Sequence, residues 1–112
     1  IFPALPNPSR IIEPGLKPLY HALCVLAGNF PILLWDKACR DFEDTLGLPR
    51  EMLGPYLSQT LKNTLANGGQ ALTGPLARRD LQTVRQNIAT LGGDHYADIY
   101  RAFAHSQGML EV

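Results

Sequence analysis

The sequence predicts an all-α protein, a helical bundle around one long apolar helix that a proline kinks near its middle. Three observations predict this. Residues 19–35 form an almost wholly apolar run with Pro31 inside it. Further along, apolar residues recur at helical spacing: Leu53, Leu57, Leu61 and Leu65, then Leu81, Val84, Ile88 and Leu91. No alternating strand pattern competes with them after residue 18.

Residues 1–18 hold five of the nine prolines, which argues against a regular helix there. Residues 1–17 therefore read as an extended connector, and residues 18–112 as the helical domain. Pro18 suits the first turn of a helix, where its missing N–H costs nothing. The first helix should run from about 18 to 46, with Pro31 removing the bond to the Ala27 carbonyl and Gly47 closing it. Its second half sets Leu34, Trp35, Ala38, Phe42 and Leu46 against Asp36, Lys37, Arg40, Asp41, Glu43 and Asp44. Pro49 opens a second helix, which Gly54 and Pro55 interrupt and Asn67, Gly68 and Gly69 end. Residues 70–80 read as a polar loop. Asp80 is placed to cap a third helix, which Gly92 and Gly93 stop. Asp94 caps a fourth, with Tyr96, Ile99, Tyr100 and Phe103 as its expected apolar side.

Composition narrows the function. The chain has 112 residues, the size of one domain, and is 46 % hydrophobic, ample for a core. Ten basic and ten acidic residues cancel, so no nucleic-acid footprint and no lipid-binding patch is present. Residues 18–35 carry no formal charge and reach spanning length. His21, Gly28, Asn29 and Pro31 interrupt that run, and the later amphipathic helices need something to cover, so a central helix is expected rather than a membrane span. Cys24 and Cys39 fall on one helix about 22 Å apart, too far to pair with each other. Two reduced thiols suggest the cytoplasm. The first residue, Ile1, suggests a piece of something longer.

His21 and Asn29 are the polar residues of the apolar helix. In an ideal α-helix they lie about 80° apart around the axis and about 12 Å along it. An unpaired buried polar group costs about 1–3 kcal/mol, so each either finds a partner in a core or lines a site. His21 and Cys24 sit one turn apart, the spacing of a base and a nucleophile. Nothing in the sequence lowers that thiol's pKa, and a packed thiol explains it as well. His21, His95 and His105 do not show metal-ligand spacing. The run from Thr73 to Asp80 is either a capped loop or a site. Thr73 offers a hydroxyl, Gly74 tolerates φ > 0 and Arg78 can fork onto a carboxylate or phosphate. No G-x-G-x-x-G cradle, P-loop or G-x-S-x-G is present.

Four stretches together resemble a known family: Tyr20, His21 and Ala22; Gly28, Asn29 and Phe30; Gly47, Leu48 and Pro49; and Leu72 to Asp80. They are similar to the C-terminal helical domain, itself of unknown function, of Rossmann-like oxidoreductases. That group shares the 6-phosphogluconate dehydrogenase C-terminal fold with ketopantoate reductase and pyrroline-5-carboxylate reductase. The match spans about residues 17–107, and its most specific part is Thr73-Gly74-Pro75-x-x-Arg78-x-Asp80. The resemblance implies an N-terminal Rossmann domain that binds NADP or NAD, with no cofactor held by this chain alone. It also implies a helical domain that completes the substrate cleft and forms a homodimer. Better-known relatives carry a proton-donating lysine on the first helix and a substrate-binding asparagine beyond it. His21 falls at the lysine's place and Asn29 at the asparagine's. The implied roles are His21 as acid/base, Asn29 and Thr73 as orienting groups for a small-molecule substrate, and Arg78 as the partner of an anionic group. Two other readings compete: a catalytically silent helical scaffold, suggested by the missing lysine, and a free-standing protein-interaction module, suggested by the leucine stripe and zero charge.

Overall fold

The computed structural model describes residues 12–110, and the chain is all-α as the sequence predicts, with no strand among the described residues. The helices are α1 Lys17–Cys24, α2 Phe30–Asp44, α3 Gly54–Asn67, α4 Gly74–Arg78, α5 Leu81–Thr90 and α6 Tyr96–Ser106. The chain divides into two units, Ile1–Gly54 and Pro55–Val112.

In the first unit helical backbone runs unbroken over Pro14–Asp44. It starts earlier than the expected residue 18, with a 3₁₀ turn at Pro14–Leu16 that is closed by Leu16 N–H on Glu13 O at 2.8 Å. The prolines do not prevent this, because Pro14 and Pro18 both fall in first turns, where no N–H is required. The rest of the expected connector, residues 1–11, lies outside the described residues.

Where the sequence predicts a kink, the structure widens one turn. A π turn, Val25–Asn29, joins α1 to α2, and Phe30 N–H donates to Val25 O, five residues back. Pro31 explains it. Proline has no N–H for the Ala27 carbonyl, and its ring collides with the carbonyl four residues back. One extra residue in the turn relieves both conflicts while the helix continues. α2 ends as expected: Gly47 has φ +67°, and the reversed chain lets Leu48 N–H donate to Phe42 O at 2.8 Å. A 3₁₀ turn, Arg50–Leu53, follows Pro49, and Arg50 clamps it to α2 through Glu43 at 2.9 Å. Arg50 holds the Glu43 carboxyl below its ordinary pKa, and Glu43 raises that of Arg50.

No residue of Pro14–Asp44 is fully buried within the chain. Leu19, Leu23, Leu26, Ile32 and Leu33 are each more than half exposed. By length and composition alone this helix could cross a membrane, a test that the core helix of a soluble protein and a signal sequence also pass. The charged half of α2 is tied by i,i+4 pairs, Lys37 to Asp41 at 2.6 Å and Arg40 to Asp36 at 3.0 Å.

The second unit holds the buried core: Val84 and Ile88 of α5 against Ala97 and Ala104 of α6. Leu76, Leu91, Tyr100, Met109 and Leu110 pack around it. The predicted face of α5 is therefore the buried one. The face of α6 is a correction. Phe103 is 51 % exposed, and Tyr96 and Ile99 are only half-buried. Of the expected residues Tyr100 does pack against the core, and Ala97 and Ala104 are the buried ones, because small side chains let α6 approach the branched Val84 and Ile88 closely. Gly92 ends α5 for a steric reason: a Cβ there would meet Ala89 O at 2.9 Å. Asp80 caps α5, accepting from Thr83 N–H at 3.1 Å and from the Thr83 hydroxyl at 2.7 Å. Asp94 Oδ1 accepts from Tyr96 N–H at 2.9 Å at the start of α6. The expected loop 70–80 is also corrected. A 3₁₀ turn, Gly68–Ala71, leads into α4, because Pro75 fits the first turn of a short helix.

With so small a core, Val84→Ala should cost about 2 kcal/mol, from two lost methyl groups and the cavity they leave. Urea denaturation followed by circular dichroism measures this, and the loss should appear in the midpoint with an unchanged slope.

Candidate functional site

Helix α1 presents His21, and Asn29 closes the π turn. Their spacing of eight residues puts them about 80° apart in a regular helix. The π turn absorbs one residue, about 100° of rotation, and so returns Asn29 to within about 20° of His21. By that geometry the two fall on one face of the first helix, and both are exposed. Asn29 precedes α2 yet its amide caps nothing, and it has no side-chain partner among the described residues. On this helix Cys24 is half-buried and stands one turn after Tyr20. Burial, then the Cys24 thiol, raises the Tyr20 phenol above its ordinary pKa. The half-burial of Cys24 agrees with its packed-thiol reading.

In the second unit the stretch from Thr73 to Asp80 separates into structural and uncommitted residues. Gly74 has φ +84° and starts α4. Arg79 has φ +56°, the left-handed region, and closes α4. Its guanidinium donates to Gln107 O at 3.0 Å and Gly108 O at 3.2 Å, so it staples the carbonyl end of α6. Asp80 caps α5, and the Thr83 bonds hold its carboxyl below the ordinary range, Arg78 adding to this by its charge. Thr73 and Arg78 remain. Thr73 precedes α4 without a capping bond from its side chain and has no side-chain partner among the described residues. Arg78 is 61 % exposed and only 3.9 Å from Asp80 Oδ2, a loose contact.

Thr73 also lines a cleft of about 530 Å³. One wall is the polar stripe of α3: Tyr56, Gln59, Thr60, Asn63 and Thr64. The other is Gly68, Gly69, Ala71 and Leu72. These α3 residues are not among the site residues the sequence points to. Their signal was available, since positions 56, 59, 60, 63 and 64 repeat at i, i+3, i+4, i+7 and i+8. On its other side Thr73 borders an apolar recess of about 230 Å³ with Pro75, Leu76, Tyr100 and Phe103. The four residues singled out for a site thus form two pairs. His21 and Asn29 share a helix face in the first unit, and Thr73 and Arg78 bracket α4 in the second. Among the described residues no three His, Cys, Asp or Glu side chains gather as metal ligands do.

A family model described as a domain of unknown function (DUF2520) matches residues 1–107, and the chain belongs to that family. No curated protein and no solved structure matches it.

The two adjacent arginines should separate cleanly. Arg79→Ala removes two charge-assisted bonds and should cost about 1–3 kcal/mol, whereas Arg78→Ala should leave stability within about 0.5 kcal/mol of the parent. Thermal melts of the two variants side by side check this.

Proposed function

We propose that this chain is the substrate-binding and dimerisation domain of an NAD(P)-dependent oxidoreductase. His21 serves as acid/base, Asn29 and Thr73 orient the substrate, and Arg78 pairs an anionic group. The observation that carries the reading is the Phe30 N–H bond to Val25 O, which by helix geometry sets His21 and Asn29 on one face, since a proton-transfer group and a substrate-binding amide must address one ligand. The resemblance to the Rossmann-like oxidoreductases supports it. A histidine where relatives carry lysine remains suited to the task, because imidazole exchanges protons near neutral pH. His21 would hold or release the proton at a substrate oxygen or nitrogen while Asn29 fixes the same molecule through its uncommitted amide.

A nicotinamide cofactor supplies the hydride chemistry in such enzymes. The described residues do not fit its pyrophosphate, since they contain no strand leading through a glycine-rich turn into a helix. In this proposal a Rossmann domain of the parent protein holds it. A second copy of the chain covers the exposed Leu19, Leu23, Leu26 and Leu33, because a helix apolar over so much of its surface is stable in water only when covered. Two free thiols agree with a cytoplasmic protein. One observation favours a second reading, a catalytically silent scaffold: the lysine of active relatives is absent at position 21.

The test is His21→Ala in the parent protein. Turnover with a cognate substrate should fall by about 10²–10⁴ with the fold intact. Undiminished turnover contradicts the role of His21. NADPH binding without oxidation by any carbonyl or imine supports the silent scaffold.

A further inference from the structure

We infer that the cleft between α3 and the Gly68–Ala71 turn binds an uncharged, hydroxyl-rich group of the chemical class of a sugar ring or polyol. The inference rests on the proposed function only for Thr73 as a substrate contact. It does not need His21 or a reaction.

The hydrogen-bonding state of the lining sets the ligand class. Thr60 Oγ1 donates to Tyr56 O at 2.9 Å and Thr64 Oγ1 to Thr60 O at 2.8 Å. Both hydroxyl protons are therefore committed to the helix, and both oxygens present lone pairs. Gln59 Nε2 donates to Asn63 Oδ1 at 2.8 Å. That bond fixes the two amides against each other and leaves Gln59 Oε1 as an acceptor beside Asn63 Nδ2 as a donor. Thr73 adds an uncommitted hydroxyl from the facing wall. The set is rich in acceptors, with donors beside them, and no charged side chain lines the cleft.

A carboxylate or a fully ionised phosphate only accepts hydrogen bonds. Here it would face oxygen lone pairs with no cation to offset its desolvation. A ligand hydroxyl both donates and accepts, so neighbouring hydroxyls match an acceptor and a donor side by side. The apolar face of a sugar ring also finds a surface in Tyr56, a residue 65 % exposed. The volume is in the range of small-molecule sites. Gly68 and Gly69 keep the opposite wall low, with no atom within 4 Å of where a Cβ would stand.

Saturation-transfer NMR on this chain tests it with a matched pair of probes, methyl β-D-glucopyranoside and its C6 carboxylate counterpart, methyl β-D-glucuronide. The neutral glycoside should receive saturation and bind at least about tenfold more tightly than the charged one. Asn63→Leu and Thr60→Val should each weaken the neutral glycoside severalfold while the helical circular dichroism stays that of the parent. Thr60→Val keeps the side-chain shape, and the neutral-against-charged contrast in the parent decides the matter should a variant fail to fold. No transfer to the neutral probe, equal or tighter binding of the glucuronide, or undiminished binding by folded variants overturns the inference. Binding without turnover in the parent protein removes the proposed reaction and leaves the cleft. Turnover without binding does the reverse.

Discussion

Pro31 lacks an N–H, and the arrangement of the first unit follows from that. A regular α-helix would ask Pro31 to donate to Ala27 and would press its ring onto the same carbonyl. The chain resolves this without ending the helix, by letting Phe30 reach back five residues to Val25. The wider turn resets the angular register of everything beyond it by about 100°. Asn29 thereby comes onto the face of His21. Single π turns recur at functional sites because they reorient side chains without breaking a helix. Here the two reoriented groups are the polar residues of an otherwise apolar run.

The second unit depends on a different constraint, the scarcity of large buried side chains. Its core is two branched residues on α5 and two alanines on α6. Hydrophobic burial on that scale holds little, so polar interactions at the helix ends carry more of the order. Asp80 starts α5 through Thr83, and Arg79 adopts a left-handed backbone to bind the last carbonyls around α6. A non-glycine residue at positive φ is unfavourable on its own, and here two hydrogen bonds offset it. The same stretch that shapes the fold leaves Thr73 without a capping bond and Arg78 only loosely paired with Asp80, which is why they are the residues of that stretch with chemistry to offer a ligand.

Much of the fold was legible in the sequence, because it is written in local signals. The caps at Asp80 and Asp94, the left-handed closure at Gly47 and the buried stripe of Val84 and Ile88 depend on neighbours within a turn or two. What was not legible depends on distant partners or on one element's response to another. Alanine carries too weak a hydrophobic signal to outrank Phe103, so the inward face of α6 emerges only once α5 is beside it. Arg78 and Arg79 are indistinguishable as letters. Their roles diverge because the end of α6 lies within reach of Arg79. As letters the site residues are types suited to a role, and a proline within a helix predicts a kink. The consequence that matters, Asn29 in register with His21, follows only from the i→i+5 bond.

That bond is the point at which the account is most directly measurable. Long-range HNCO spectroscopy detects the scalar coupling across a backbone hydrogen bond and so identifies the acceptor of each N–H. The account predicts that the Phe30 amide couples to the carbonyl carbon of Val25. A coupling to Leu26 instead would mean a regular α turn, would leave Asn29 about 80° from His21, and would contradict the shared face on which the proposed site rests.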